Sequence, residues 1–566
     1  MQRLGRLLVS YRREIRFIIL YSVVAGLINL SLPLGIQAII GMIGGGAISA
    51  SWGVLVLFVL VGALLAGILR LMQLSMMEFI QRRIFADTAA EFALRFPRLH
   101  VEQLRHAYIP ELANRFFDTL TIQKGLPKLM IDGSAAILQI LFCLLLLSFY
   151  HPIFIVFSFI LLLSLSILFW VTAPKGVETS LVESKYKYKL AYWLEELGRV
   201  VVTFKLAGEN NFPLHQADYL TVEYLKARAK HWRILVIQFV SGIAFKVLIL
   251  GTFLIIGSLL VMDNALNIGQ FVASEILILY VVESVEKLIL LHETGYDVLT
   301  SIEKMGQVMD LPIEREDGIR VEEFCPKGEA LEVEMRNLSY RYDDGDAKVL
   351  DNINLKIAAG ERVAVTGYDA SGKSTLLQIL SVIKRDFTGN LLFNGLPKQN
   401  LHLRSLREHI GDVSSQEDLF KGSILENITL GNPHVSLQRV LEVTEAIGLG
   451  DYIRKAPDGL NTELLPGGKN TPRSIISKIL VARSLALRPK LLAMEEPLGH
   501  MAFEDRQRIA RYLTDRHQPW TLVCITGDPL LAALCDRVVV LKDGQIILNG
   551  TFDDVRKSEH YGKVFK

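Results

Sequence analysis

The chain has little that would cross-link it or draw it to nucleic acid. Its 566 residues include four cysteines, Cys143, Cys325, Cys524 and Cys535, scattered without CxxC spacing. That excludes a disulfide framework and a cysteine-based zinc site, and fits a reducing compartment. An excess of either charge is also absent. Sixty-one Lys+Arg against 59 Asp+Glu leave a formal net charge of +2. Without a general basic field there is no case for a nucleic-acid partner. Polar content is low: 51% of residues are hydrophobic, and mean hydropathy is +0.34. That is too apolar for an ordinary soluble protein of this size.

The apolar excess lies in the first half. A membrane helix needs roughly 20 apolar residues to cross the hydrocarbon core. Six stretches qualify: 17–39, 53–75, 131–149, 153–173, 234–262 and 268–291. Arg3, Arg6, Arg12, Arg13 and Arg16 precede the first. That first run is far too long for the core of a signal peptide, so no cleavable leader is expected. The connections 40–52, 150–152 and 263–267 contain no Lys or Arg, whereas 76–130 and 174–233 are long and rich in both. The positive-inside rule places the long loops and both termini in the cytoplasm. Those loops carry helical periodicity, as in MMEFIQRRIFADTAAEFALRF, so the spans are expected to continue past the membrane as helical hairpins.

Two charges sit deep in this pattern. Lys246 interrupts the fifth span and Glu283 the sixth. Counted from the outer loop, each lies about 15 residues in, or roughly 23 Å at ~1.5 Å per residue. Charges at that depth face a partner or a water-filled cavity. Two readings stand: a structural ion pair or interfacial groups, and the lining of a substrate pathway.

The pattern changes after the sixth span. The charged stretch 311–330 contains Pro312, Gly318, Pro326 and Gly328, and reads as a linker. The division expected is a transmembrane domain over 1–310, the linker 311–330, and a mixed α/β domain over 331–566. In the last, strand ERVAVTG runs into GYDASGKST and then helix STLLQILSVI. This is the strand–loop–helix setting that G-x-x-x-x-G-K-[ST] requires. Gly367, Tyr368, Asp369, Ala370, Ser371, Gly372, Lys373, Ser374 and Thr375 form the candidate phosphate loop. Gly367 and Gly372 let backbone N–H groups converge on phosphate oxygens, and the helix N-terminus adds partial positive charge. Lys373 reaches the β- and γ-phosphates, and Ser374 is a ligand for Mg²⁺.

Six spans followed by such a domain resemble the ABC transporter family, in its exporter-type half-transporter form, over nearly the whole length. Further stretches carry the likeness: FKGSILENITLGNP (420–433), VARSLALRPKLLAMEEP (481–497) and CDRVVVLKDGQIILNG (535–550). LSLPLGIQAII (30–40) is similar to the first span of type 1 secretion and bacteriocin exporters, although no N-terminal peptidase domain is expected here. The resemblance implies ATP and Mg²⁺ as cofactors, with Tyr342 stacking on adenine. It places Gln416 in a loop touching Mg²⁺ and Glu495 as a metal-binding carboxylate, and Glu496 stands where the family has its general base. It implies that 109–118 and 207–212 couple the two domains. It further implies a multi-pass protein of the bacterial inner membrane, contacting lipid, a second half-transporter and a periplasmic adaptor.

The chain departs from the family at several points. The signature LSGGQ is replaced by Thr471, Pro472, Arg473, Ser474 and Ile475. Pro472 has no N–H to give, and two side chains stand where close backbone approach is needed. Glu495 replaces the Walker B aspartate, and its extra methylene moves the carboxylate by roughly 1 Å. Ala502 stands where the D-loop carries an aspartate, and Gly527 where the switch histidine belongs. His500 is read either as a substitute for that histidine or as a surface residue. Removing one positioned transition-state group costs roughly 10²–10³ in rate. Two functions from different classes follow. One is the ATP-binding subunit of an exporter with impaired hydrolysis, homo- or heterodimeric and of unknown substrate. The other is a non-hydrolytic scaffold or nucleotide-gated regulator. The six spans exclude a soluble P-loop kinase.

Overall fold

The computed structural model describes residues 3, 5, 9, 11–44, 50–100, 102, 108–342, 347–413 and 419–565. Two compact units emerge, one over 1–99 and 106–312, the other over 100–105 and 313–566.

The first unit is helical. Its elements are α1 (Arg12–Asn29), α2 (Ser31–Gly44), α3 (Ala50–Arg95), α4 (Ile109–Asn114), α5 (Asp118–Ser148), α6 (Ile153–Arg199), α7 (Val201–Leu206), α8 (Phe212–Met262) and α9 (Ile268–Met309). Among the described residues, six helical stretches are long and apolar enough to cross a membrane. Every span read from the sequence coincides with one of them, the third running one residue past the helix end at Ser148. The first is interrupted at Leu30, between α1 and α2. At ~1.5 Å per residue, the 46 residues of α3 reach roughly 70 Å, far beyond a hydrocarbon core of ~30 Å. The helices therefore continue well outside the bilayer, as the periodicity predicts. The stretch 109–118 forms α4, a short 3₁₀ turn and the start of α5. In the second hairpin the stretch 207–212 is the turn itself, with Gly208 at φ +72.

Polar pairs tie helices that apolar packing alone would leave free to slide. Gln73 of α3 donates to Ser22 of α1 at 3.1 Å, and Ser22 bonds Ser134 of α5 at 2.9 Å. Gln238 of α8 donates to the Tyr296 hydroxyl of α9 at 2.6 Å. Gly176 of α6 leaves room for that tyrosine ring.

The second unit is built on a six-stranded sheet in the order β12-β11-β3-β10-β9-β6. These strands are β3 (Arg362–Gly367), β6 (Ile410–Val413), β9 (Leu491–Glu495), β10 (Thr521–Ile525), β11 (Arg537–Lys542) and β12 (Gln545–Gly550). β6, β9, β10, β3 and β11 run parallel, and β12 closes the edge antiparallel. A parallel strand is covered on both faces, which explains the unbroken apolar runs VAV, LLAM and LVCI. A four-stranded antiparallel sheet, β2-β1-β4-β5, is formed by β1 (Val333–Arg341), β2 (Lys348–Ile357), β4 (Thr388–Phe393) and β5 (Leu396–Pro397). The strand pair β7 (Gly422–Ser423) and β8 (Glu463–Leu464) completes the strands.

Candidate functional site

In an open parallel sheet, ligands bind beyond the carboxyl ends of the strands. Here β3 ends at Gly367, β6 at Val413, β9 at Glu495 and β10 at Ile525. The register aligns Ile525 with Glu495 and Val413 with Met494. Topology alone thus brings the phosphate loop, Glu495, Glu496 and Gly527 to one edge of the sheet, although more than 150 residues separate the loop from Gly527.

The loop has the backbone that its glycines were expected to supply. Gly367 (φ +153) and Gly372 (φ +92) adopt conformations that disfavour a side chain. A Cβ at Gly367 would also strike the Leu541 backbone. Ala370 takes φ +56 without being glycine, a position that costs a residue with a Cβ roughly 1–2 kcal/mol. Gly372 caps α10 (Lys373–Leu380), whose free N–H groups face the loop. The Lys373 ammonium folds over the loop, donating to the Gly367 carbonyl at 3.0 Å and the Tyr368 carbonyl at 2.6 Å. Burial lowers its pKa, while Asp369, Glu495 and Glu496 pull the other way.

Ser374 donates to Glu495 at 2.5 Å. A hydroxyl and a carboxylate thus converge beside the loop. Mg²⁺ takes one or two such oxygens and fills the rest of its octahedron with water and phosphate. The donor set fits that ion, and the longer Glu495 side chain still reaches the serine. Gln416, the third metal ligand expected, lies outside the described residues.

Tyr342 sits close to the loop helix: its hydroxyl bonds Thr375 at 3.1 Å. Its ring meets Tyr340 edge-on at 5.2 Å, and the Lys384 ammonium lies 4.3 Å from its centroid. Tyr368 bonds His560 through its hydroxyl at 3.1 Å and packs into the core beneath the loop.

Glu496, at φ +45, accepts a hydrogen bond at 2.8 Å from the backbone N–H of Gly527. The residue standing in the histidine position therefore holds the candidate base directly. Burial raises the Glu496 pKa, helped by Asp528 and Glu495 and opposed by bonds from Gly527 and Thr526. Gly527 has ordinary φ, and a Cβ there would lie 3.6 Å from the Glu496 carboxylate, a normal contact.

A helix begins at the position read as the signature. Pro472 is the N-cap residue of α11 (Arg473–Ala486) and makes no side-chain capping bond. Pro472 and Arg473 are exposed. Ala502 precedes α12 (Phe503–Thr514), also without a side-chain cap, and His500 takes φ +61.

Two polar groups escaped the sequence reading. Asp412 on β6 is half-buried near Glu495, and Ser381 donates to it at 2.9 Å. Burial, reinforced by Glu495, pushes its pKa up to about 6 against the Ser381 bond. A lone carboxylate in the apolar strand IGDV was the available signal. Asp528 caps the helix that follows Gly527 and is held by Arg506 at 3.0 Å. Position in the sequence gave no hint of that pairing.

The deep membrane charges are both paired, but not to each other. Lys246 bonds Glu286 at 2.8 Å, and Glu283 bonds Lys287 at 2.7 Å.

Comparison with known proteins is consistent with this geometry. Residues 350–499 match the protein family described as ABC transporter. The chain is 28% identical over 312 residues to the alpha-hemolysin translocation ATP-binding protein HlyB of Escherichia coli O157:H7, covering 55% of this chain and 44% of that protein. It is also 28% identical over 306 residues to the leukotoxin translocation ATP-binding protein LktB of Mannheimia haemolytica, covering 54% and 42%. The alignments thus span less than half the length of these relatives. Among solved structures, a bacterial Atm1-family ABC exporter with ATP bound superposes with a TM-score of 0.84 at 18% identity, covering 98% of both chains.

Proposed function

We propose that this chain, an exporter-type half-transporter of the ABC transporter family, binds ATP with Mg²⁺ at the Lys373 loop but hydrolyses it slowly. The observation that carries the reading is the convergence of Lys373, Ser374 and Glu495 on one loop, with Glu496 tied to a glycine amide close by. Lys373 and the α10 N-terminus supply charge for the triphosphate. Ser374, Glu495 and Gln416 hold the metal, and Tyr342 offers its ring to the base. Glu496 remains as the candidate base, but Gly527 has no side chain with which to orient attacking water. In a dimer with a second half, whether a copy of this chain or another, ATP binding favours the closed state and 109–118 and 207–212 transmit closure to the spans.

The long loops and both termini lie in the cytoplasm of a bacterial inner membrane in this reading. Relatives whose names specify translocation of hemolysin and leukotoxin favour a polypeptide cargo. The Gly527–Glu496 bond also favours a second reading, a nucleotide-gated scaffold without turnover, because it engages the carboxylate that would otherwise accept a proton from water. The test is ATP binding and turnover by the purified chain in lipid. Binding lost in Lys373→Ala and turnover well below ordinary transporter rates are expected. No binding by the unmodified chain would overturn the proposal, and lysine-dependent turnover at ordinary rates would overturn impaired hydrolysis.

A further inference from the structure

The phosphate loop is held from outside by a segment nearly two hundred residues further along the chain. Gly367, Ala370 and Gly372 all take positive φ. Such a backbone persists only where its surroundings over-determine it. Tyr368 is where those surroundings converge. Its N–H donates to the Leu541 carbonyl at 3.1 Å, and its carbonyl accepts from the Ser371 N–H at 3.3 Å. The Lys542 ammonium lies 5.4 Å from the centre of its ring, within reach of a cation–π attraction. Its hydroxyl shares a hydrogen bond with His560 Nδ1 at 3.1 Å. Two residues earlier, the buried Thr366 hydroxyl donates to the Val564 carbonyl at 3.1 Å.

His560 and Val564 belong to one short segment, 560–565. Its apolar side chains fix it in place. Val564 and Phe565 are buried, and Phe565 meets the rings of Phe552 and Tyr561 at 5.6 and 5.4 Å. That packing does not require a polar group aimed at the loop, yet half-buried His560 supplies one. The segment also reaches the Glu496 side of the site: a Cβ on Gly527 would stand 3.9 Å from the Val564 carbonyl oxygen.

We propose that segment 560–565 is a strap that holds the phosphate loop in its ligand-ready backbone, with His560 as a positioning residue acting through Tyr368. The proposal rests on the nucleotide reading above and adds a control on that same site. A loop already ordered loses less freedom when a phosphate arrives, so the strap raises affinity without touching the ligand. One net hydrogen bond is worth a factor of roughly 2 to 10 in an equilibrium.

The test uses the full chain in lipid nanodiscs with ATP–Mg²⁺. His560→Ala and Tyr368→Phe should each weaken ATP binding by about that factor. Combining them should weaken it no further, because both remove the same bond. His560→Asn keeps a hydrogen-bonding atom near the Nδ1 position and should restore most of the affinity. Without nucleotide, amide exchange over 368–372 should speed several-fold in His560→Ala while the melting temperature holds. Unchanged loop exchange, additive losses of affinity, or His560→Asn binding as weakly as His560→Ala would each overturn the proposal. So would an effect of His560→Ala confined to the melting temperature, which marks a residue that packs and positions nothing. The two readings fail separately. Unmodified ATP binding in every His560 and Tyr368 variant, lost only in Lys373→Ala, removes the strap alone. Loop exchange that answers to His560 in a chain that binds no ATP removes the nucleotide reading alone.

Discussion

Gly527 is the residue at which chemistry and structure meet most directly. Its N–H holds Glu496, while its missing side chain leaves a place that a Cβ enters at an ordinary contact distance. Gly527→His should therefore fold normally, within about 0.5 kcal/mol of the unmodified chain by thermal denaturation. ATP turnover in lipid should rise, by no more than roughly 10²–10³-fold, because the signature of α11 remains altered. A destabilised variant would show that the position is tighter than the backbone indicates. Asp412 makes a separate case. Its pKa is raised to about 6 by burial, against about 3.9 in an unfolded chain. Between those values the folded state binds the extra proton, so stability falls as pH rises from about 4 to 6 and then levels off. At ~1.4 kcal/mol per pKa unit, the loss is at most about 3 kcal/mol. Asp412→Asn keeps the acceptor for Ser381 and should flatten that slope, read as melting temperature against pH. Such residue-level facts were only partly legible in the sequence. The motif fixed Lys373 and Ser374, and the family likeness pointed to Glu495. Glu286, Lys287 and Asp412 were missed because their partners lie on other elements or a helical turn away, where spacing along the chain says nothing.

Among elements, the membrane helices were the most legible. A continuous apolar run specifies a span almost by itself, and each of the six spans coincides with a long helix to within a residue. The break at Leu30 was not legible, because helical periodicity continues smoothly through it. Contacts between helices are also invisible to periodicity. Gly176 of α6 faces Tyr296 of α9 so closely that an added Cβ would lie within 3 Å of the tyrosine ring. Gly176→Ala is expected to displace Tyr296, weaken its bond from Gln238 and destabilise the bundle by about 1–3 kcal/mol, as overpacking does. Thermal unfolding in detergent measures the loss. Tyr296→Phe combined with Gly176→Ala relieves only the hydroxyl contact and should recover part of it. An unchanged melting temperature in the single variant would mean that α6 and α9 can separate at no cost.

At the scale of the whole molecule, six helices followed by a P-loop domain were readable because each class of element has its own pattern. The gathering of Gly367, Glu495 and Gly527 at one sheet edge was not, because strand order is a property of the sheet and not of any segment. The division into two compact units has a thermodynamic consequence. Chains of several domains need not unfold in one step, so two transitions are expected by calorimetry in detergent. All residues proposed to hold ATP belong to the second unit. ATP–Mg²⁺ at a hundred times its dissociation constant stabilises whatever binds it by about 2.7 kcal/mol. For a unit of roughly 250 residues that is a rise of roughly 5–11 °C in one transition. The other transition should stay within error, and Lys373→Ala should abolish the rise. ATP that moves neither transition would remove nucleotide binding from the account. A rise that survives Lys373→Ala would place the bound nucleotide somewhere other than the Gly367–Thr375 loop.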